Sequence, residues 1–314
     1  MTSMAARIRI AGYQDEQSVH TRAIRVMIRA LQEKAAGLIS VDFESNIAER
    51  GRKVADLLDL VKYGDLDICY FSSSYLTKRV PTLGVLDIPF QFTDRRDMRA
   101  FLDGSIGAVL RRDIAAHTEY KVLAFWDNGL RNISNGKRPI RAPDDCAGLR
   151  IRTLPSANYI ATFRALGMEP VTLDVADMVQ AIANGEVDAQ ENPLTNIQLF
   201  GLQRYHPFVT MTGHFYGIAL VLCNASSLAS WPDDVRSALS AAVSESTAAQ
   251  WKFACEQEIT SRETLEAQGI NIVDLDEAPR SAFKQTVHTV IEQEYSKLPQ
   301  ELLRLLRDSA VGRT

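Results

Sequence analysis

Apolar positions change period repeatedly along the first third of the chain. Residues 7–13 alternate with period two and predict a strand, whereas Val19, Ala23, Val26, Met27, Ala30 and Leu31 recur at helical spacing over 17–36 and stop at Gly37. The alternation repeats: 38–43 reads as a strand, 49–62 as a helix with Val54, Leu57, Leu58 and Val61 on one face, and 66–71 as a strand after the helix-ending Gly64. Successive strand-helix-strand units predict a mostly parallel sheet with helices on both faces, which takes its ligands at the carboxyl ends of strands. Residues 13–16, 45–48 and 72–75 then lie on that rim.

A second series starts near residue 130, with strands at 131–134, 149–152, 168–173 and 208–212 around helices at 156–166 and 175–183. The apolar strand 214–224 leads into long helical patterns at 232–268 and 278–295 and a polar tail. The expected architecture is α/β and two-lobed, with 1–127 plus 214–255 as lobe I and 128–213 as lobe II. The helices of 256–314 are expected to brace both lobes. A chain of 314 residues is long for one core and suits two.

Composition narrows the function classes. With 46% hydrophobic and 24% charged residues the chain reads as globular, and a formal charge of -4 gives no basic excess for nucleic acid or anionic lipid. No apolar run approaches the roughly 18 residues of a membrane span. The first residues, Met1-Thr-Ser-Met-Ala-Ala, lack the charged and apolar segments of a secretory leader, so either the protein is cytoplasmic or a leader has been removed. Cys69, Cys146, Cys223 and Cys255 are widely spaced without a CxxC pair; they support no zinc site, and a disulfide pairing is unreadable. His20, His117, His206, His214 and His288 show no metal-ligand spacing.

The candidate chemistry centres on Gly148-Leu-Arg-Ile-Arg152. An arginine inside a strand that otherwise reads as core needs a partner, because burying its charge alone is too costly. A carboxylate ligand fits, since the planar guanidinium holds it through two parallel hydrogen bonds. An internal ion pair is the alternative. Other candidates are Gln14, Asn46 and Ser72, Ser73 and Ser74 at strand ends, with Tyr70, Phe71 and Tyr75 as aromatic walls and His214 and Phe215 after the turn glycine Gly213. Turn chemistry and core packing explain these nearly as well.

Ordered motifs then carry a resemblance over nearly the whole chain: Val80-Pro-Thr-Leu-Gly-Val-Leu-Asp-Ile-Pro-Phe90, Trp126-Asp-Asn-Gly-Leu-Arg131, Gly148 to Pro155, and Val187-Asp-Ala-Gln-Glu-Asn-Pro193. Together they resemble the solute-binding proteins of tripartite ATP-independent periplasmic (TRAP) transporters, the DctP-type family. The resemblance implies a periplasmic-binding-protein-like fold with a cleft between lobes, crossing hinge strands, and capture of an organic acid by hinge closure. It further implies a monomer in the periplasm, no cofactor or metal, and two integral membrane subunits as partners. Arg152 falls on the family's carboxylate-binding arginine. Arg131 falls on its second arginine, which shares the carboxylate, binds a second anionic group or orients a loop. Asn192 falls on an asparagine that supplies an amide to a ligand oxygen, with capping of the helix after Pro193 as the alternative. Glu191 reads as structural. Val175 stands where relatives often carry an aromatic residue, which leans the ligand towards a monocarboxylate with an apolar or aromatic body; a sugar acid is the alternative.

A two-lobed small-acid enzyme is the competing class. No GxGxxG follows the first strand, no GxxxxGK[ST] or HExxH occurs, and no nucleophile with a nearby base stands out. Ser134-Asn-Gly-Lys137 satisfies SxxK but lacks its companion motifs. A sensor domain would use the same binding residues.

Overall fold

The computed structural model describes residues 6–311. Residues 1–5, on which the expectation about a leader rests, lie outside the described residues. The chain opens with β1 (Ala6–Ala11), α1 (Val19–Lys34), β2 (Ile39–Glu44), α2 (Asp56–Tyr63) and β3 (Ile68–Ser72). The Ser18 hydroxyl accepts from the His20 amide at 3.1 Å to start α1, which buries Ala23, Ile24, Met27, Ala30 and Leu31 along one stripe. The helix expected at 49–62 is shorter. Gly51, at φ 73°, closes a single turn at Ile47–Arg50, and the α-helix begins only at Asp56.

The next elements are α3 (Arg95–Asp103), α4 (Ser105–His117), β4 (Tyr120–Asn135), β5 (Arg150–Thr153), α5 (Ala157–Ala165), β6 (Glu169–Thr172), α6 (Val175–Ala183), β7 (Ala189–Asn192) and α7 (Leu194–Leu199). They are followed by β8 (Phe208–Asn224), α8 (Ala225–Ser230), α9 (Asp233–Ala267), β9 (Asn271–Asp274), α10 (Glu277–Thr286), α11 (His288–Lys297) and α12 (Gln300–Val311). Two expectations change here. The strands at 208–212 and 214–224 are one strand, because Gly213 takes φ 54° without ending it. The helix expected at 278–295 is two, divided at Val287.

The chain forms two compact units. The first comprises Met1–Ser72, Arg111–Asp127 and Ile218–Gln257; the second comprises Ser73–Leu110, Asn128–Gly217 and Glu258–Thr314. In the first, β1 pairs in parallel with β2 and β3, and β3 runs antiparallel to the end of β8. In the second, the strand order is β8-β4-β7-β5-β6, with β9 parallel to the start of β8. The sheet is open and of the expected α/β class, mostly parallel but mixed by the antiparallel pairs β3–β8 and β4–β7.

This division differs from the expected lobes. Residues 73–110 group with the second unit because the Asp87 carboxylate accepts from Ser74 and Ser156, and the Asn158 amide donates to the Asp87 carbonyl. The helices after Gln257 group with it too, rather than with both units; Arg280 on α10 donates to the Met211 and Thr212 carbonyls at 3.3 and 3.4 Å. Met178, Ile182, Leu194, Ile197, Leu202 and Leu265 form an apolar core that joins α6, α7, the turn Leu202–Arg204 and the end of α9.

Candidate functional site: a buried charged cluster in the second unit

Register builds the site. Ser134 on β4 faces Gln190 on β7, Asn132 faces Asn192, and Arg152 on β5 lies beside Gln190 on its other flank. Three short strand segments therefore bring Arg152, Gln190, Asn192 and the end of β4 together.

Arg152 is fully buried. Its Nε and Nη2 both donate to the Leu173 carbonyl, at 3.1 and 2.8 Å, just before α6 begins. The Tyr75 phenol lies beside it: burial raises that phenol, and the Arg152 charge acts in the opposite direction. Among the described residues no carboxylate stands within ion-pair distance of Arg152. The internal ion pair offered as its alternative is therefore absent there.

Arg131 is arranged differently. Its Nε donates to the Glu191 carboxylate, and its Nη2 donates to Glu191 Oε1 at 2.9 Å, the Glu191 carbonyl at 2.7 Å and Asn192 Oδ1 at 3.2 Å. Burial pushes Glu191 upward, but the Arg131 charge and the facing His214 outweigh it and hold the carboxyl below its usual range. His214 Nε2 stands 3.6 Å from Glu191 Oε2, and its Nδ1 is 2.6 Å from Thr212 Oγ1. Burial lowers the imidazole more than Glu191 restores it. Phe215, the next residue, stacks on Tyr159 with centroids 3.8 Å apart, and Arg131 Cζ sits 5.8 Å from the centre of the Tyr159 ring.

Asn192 ends β7 and does not cap the following helix; Pro193 occupies that N-cap position. Its amide is instead used inside the cluster, with Nδ2 donating to Gln190 Oε1 at 2.6 Å and Oδ1 accepting from Arg131. Val175 is the first residue of α6 and is half-buried beside the capping Asp174. Ser74 donates to Asp87 Oδ1 at 2.8 Å, and Ser73 is buried next to it.

The remaining candidates fall in the first unit, where its own groups use them. Gln14 Oε1 takes the Ser18 hydroxyl at 2.5 Å and faces His20 Nδ1 at 3.1 Å. Tyr70 is fully buried, stacked on His20 at 5.1 Å, with its hydroxyl 3.3 Å from Thr21 Oγ1. Asn46 Oδ1 accepts from the Ala48 amide at 3.1 Å and caps a turn, and Ser72 closes β3. Asp87, Ser156 and Tyr159 join the cluster without having been candidates by sequence pattern. Asp87 is buried between two serines, and burial pushes its carboxyl up to about 7 against the hydrogen bonds of Ser156 and Ser74. Its one signal is an acid enclosed by apolar Leu86 and Ile88.

The open α/β sheet thus holds two buried guanidinium groups, Arg131 paired with Glu191 and Arg152 hydrogen-bonded to the Leu173 carbonyl. Residues 10–298 match the DctP family model, bacterial extracellular solute-binding protein, family 7, and the chain belongs to that family. It is 27% identical over 305 residues, 95% of this chain and 90% of the other, to a 2,3-diketo-L-gulonate-binding periplasmic protein of Escherichia coli K12. It is also 27% identical over 288 residues, 89% and 80% of the two chains, to a C4-dicarboxylate-binding protein of Bacillus subtilis 168. Among solved structures, a TRAP periplasmic solute-binding protein from Bordetella with density assigned as pantoate superposes with a TM-score of 0.90 at 27% identity, covering 97% of this chain and 99% of the other. The sugar acid binding protein DctPAm of Advenella mimigardefordensis, in complex with galactonate, shares the fold at a TM-score of 0.93 and 23% identity, over 98% and 99% of the chains.

Proposed function

We propose that this TRAP-type solute-binding protein captures an organic monocarboxylate, with Arg152 as the group that pairs with the carboxylate. The observation that carries this reading is the contrast between two buried arginines: Arg131 is neutralised by Glu191, whereas Arg152 has a backbone carbonyl where a counter-ion would stand. One uncompensated cation calls for one carboxylate. Arg131, Asn192, His214 and Phe215 then order the surroundings of that pair. The stacked Tyr159 and Phe215 rings favour an apolar body on the ligand. A second reading, a hydroxylated sugar acid, is favoured by the buried amides of Asn128, Asn158 and Asn196. In either case the protein acts as a binding subunit in the periplasm, delivering its ligand to two integral membrane proteins without chemistry of its own. Relatives named as periplasmic support that location, and among the described residues no helix is long and apolar enough to cross a membrane.

The test is a thermal-shift panel of aromatic acids, hydroxy and keto acids, sugar acids, amino acids and neutral sugars, followed by calorimetry on the best binder. A ligand that binds the folded state alone raises the melting point by mass action. Arg152→Ala should weaken binding by about 2 to 5 kcal/mol because it strands a desolvated carboxylate. Near-native affinity in that variant would reject Arg152 as the anchor, and a panel in which only neutral sugars bind would reject carboxylate capture.

A further inference from the structure

A chain of hydrogen bonds leaves the cluster and ends at a histidine to which the binding reading gives no role. Arg131 Nη2 donates to Asn192 Oδ1 (3.2 Å), Asn192 Nδ2 to Gln190 Oε1 (2.6 Å) and Gln190 Nε2 to Ser134 Oγ (2.6 Å), and Ser134 Oγ lies 2.9 Å from His206 Nδ1. All five side chains are buried, from 0% to 4% exposed, so water does not replace a missing partner. The pairing of β4 with β7 fixes the middle of the chain, because Ser134 and Gln190 are direct cross-strand neighbours.

Such a chain has a direction. An amide side chain presents a donor at one end and an acceptor at the other, and turning it over exchanges the two. Gln190 donates to Ser134, which leaves the serine with one proton to give, and His206 Nδ1 accepts it only when the imidazole is neutral with its proton on Nε2. Burial holds His206 down at about 4, against the opposing influence of Asp188, so the imidazole is neutral at pH 7, and a proton given by Ser134 to Nδ1 places the ring proton on Nε2. The acceptor at His206 thereby sets Ser134, Ser134 sets Gln190, and Gln190 sets which atom of Asn192 faces Arg131.

We propose that Gln190, Ser134 and His206 are positioning residues for ligand capture, forming a one-way hydrogen-bond chain that orients the Asn192 amide and, through it, the Arg131 guanidinium. The assignment of Asn192 and Arg131 to the ligand rests on the function proposed above; the chain itself is tested without ligand.

The experiment is side-chain NMR of the full chain, following the Asn192 amide, the Arg131 Nε–H and the His206 ring nitrogens. Wild type should show His206 as the Nε2–H tautomer and a slowly exchanging Asn192 amide. Ser134→Ala should speed exchange at the Asn192 amide by about tenfold, the cost of one buried hydrogen bond. His206→Asn places a carbonyl oxygen near the position of Nδ1 and should keep the slow exchange of wild type, whereas His206→Gln, which reaches the Nε2 position instead, should speed it. The two histidine variants decide the matter if Ser134→Ala fails to fold. Unchanged Asn192 and Arg131 signals in a folded Ser134→Ala or His206→Gln protein, or an Nδ1–H tautomer in wild type, would overturn the proposal. With pantoate as probe, affinity should fall about tenfold in His206→Gln and stay near wild type in His206→Asn. A wild type that binds no acid at all counts against carboxylate capture and leaves the NMR result standing on its own.

Discussion

Asp87 ties the buried cluster to pH. Its folded carboxyl is raised to about 7, so it holds a proton that the unfolded chain, with an ordinary carboxyl near 4, has released. A folded pKa above the unfolded one gives stability that is complete at low pH and is lost as pH rises through the folded value. His20 and His206 act the other way: burial lowers both to about 4, so their contribution is complete above the ordinary histidine value and is lost as pH falls. The comparison of wild type with Asp87→Asn isolates the carboxyl. Between about pH 4 and 7 the variant should gain stability relative to wild type at roughly 1.4 kcal/mol per pH unit, read from urea unfolding at several pH values. Parallel profiles for the two proteins would show that Asp87 does not carry that proton. The residue was not legible in the sequence, because an aspartate in Leu86-Asp-Ile-Pro89 looks like turn chemistry until the fold brings Ser74 and Ser156 onto its two oxygens. Arg131 and Arg152 stood out for the opposite reason: a permanent charge inside an apolar strand demands a partner wherever the strand goes. Gln14, Asn46 and Tyr70 pointed at a ligand in the sequence, yet each is occupied by neighbours within its own unit.

At the level of elements, strand and helix periods were legible and their lengths were not. The strand expected at 131–134 is β4, which begins at Tyr120; Asp127 and Asn128 interrupt its apolar pattern, but the Asp127 amide donates to Gln250 Oε1 at 2.8 Å, so a polar stretch stays inside the strand. Gly213 misled in the same way. A turn glycine in sequence is, in the structure, a local left-handed step within a continuous β8, immediately before His214 and Phe215. A Cβ at this position would also meet Arg280 Nη1 at 3.0 Å. Gly213→Ala should therefore destabilise the protein by about 1 to 2 kcal/mol from the backbone conformation alone. Chemical unfolding measures this, and an unchanged midpoint would mean that β8 relaxes to negative φ at no cost.

At the level of the molecule, the chain alternates between the two units instead of completing one before starting the other. It passes from one to the other after Ser72 and again within α4, β4, β8 and α9. Local periodicity cannot show this, because which unit a segment joins is set by contacts far apart in sequence, such as Asp87 with Ser156 and Arg280 with the Met211 carbonyl. Periodicity marks 128–213 as a lobe in its own right; the structure gives the same unit two further pieces, 73–110 and 258–314. A protein made of residues 128–217 alone would lack both, leaving Ser156 without Asp87 and the apolar core without Leu265. Each uncompensated buried polar group costs about 1 to 3 kcal/mol, and together with a core opened on one side these losses consume an ordinary domain's margin of about 5 to 15 kcal/mol. That fragment should show no cooperative thermal transition by circular dichroism, while a fragment mixture restoring 73–110 and 258–311 should regain one. A sharp melt from 128–217 by itself would show that this stretch is an independent folding unit after all, and that the two added pieces decorate it rather than complete it.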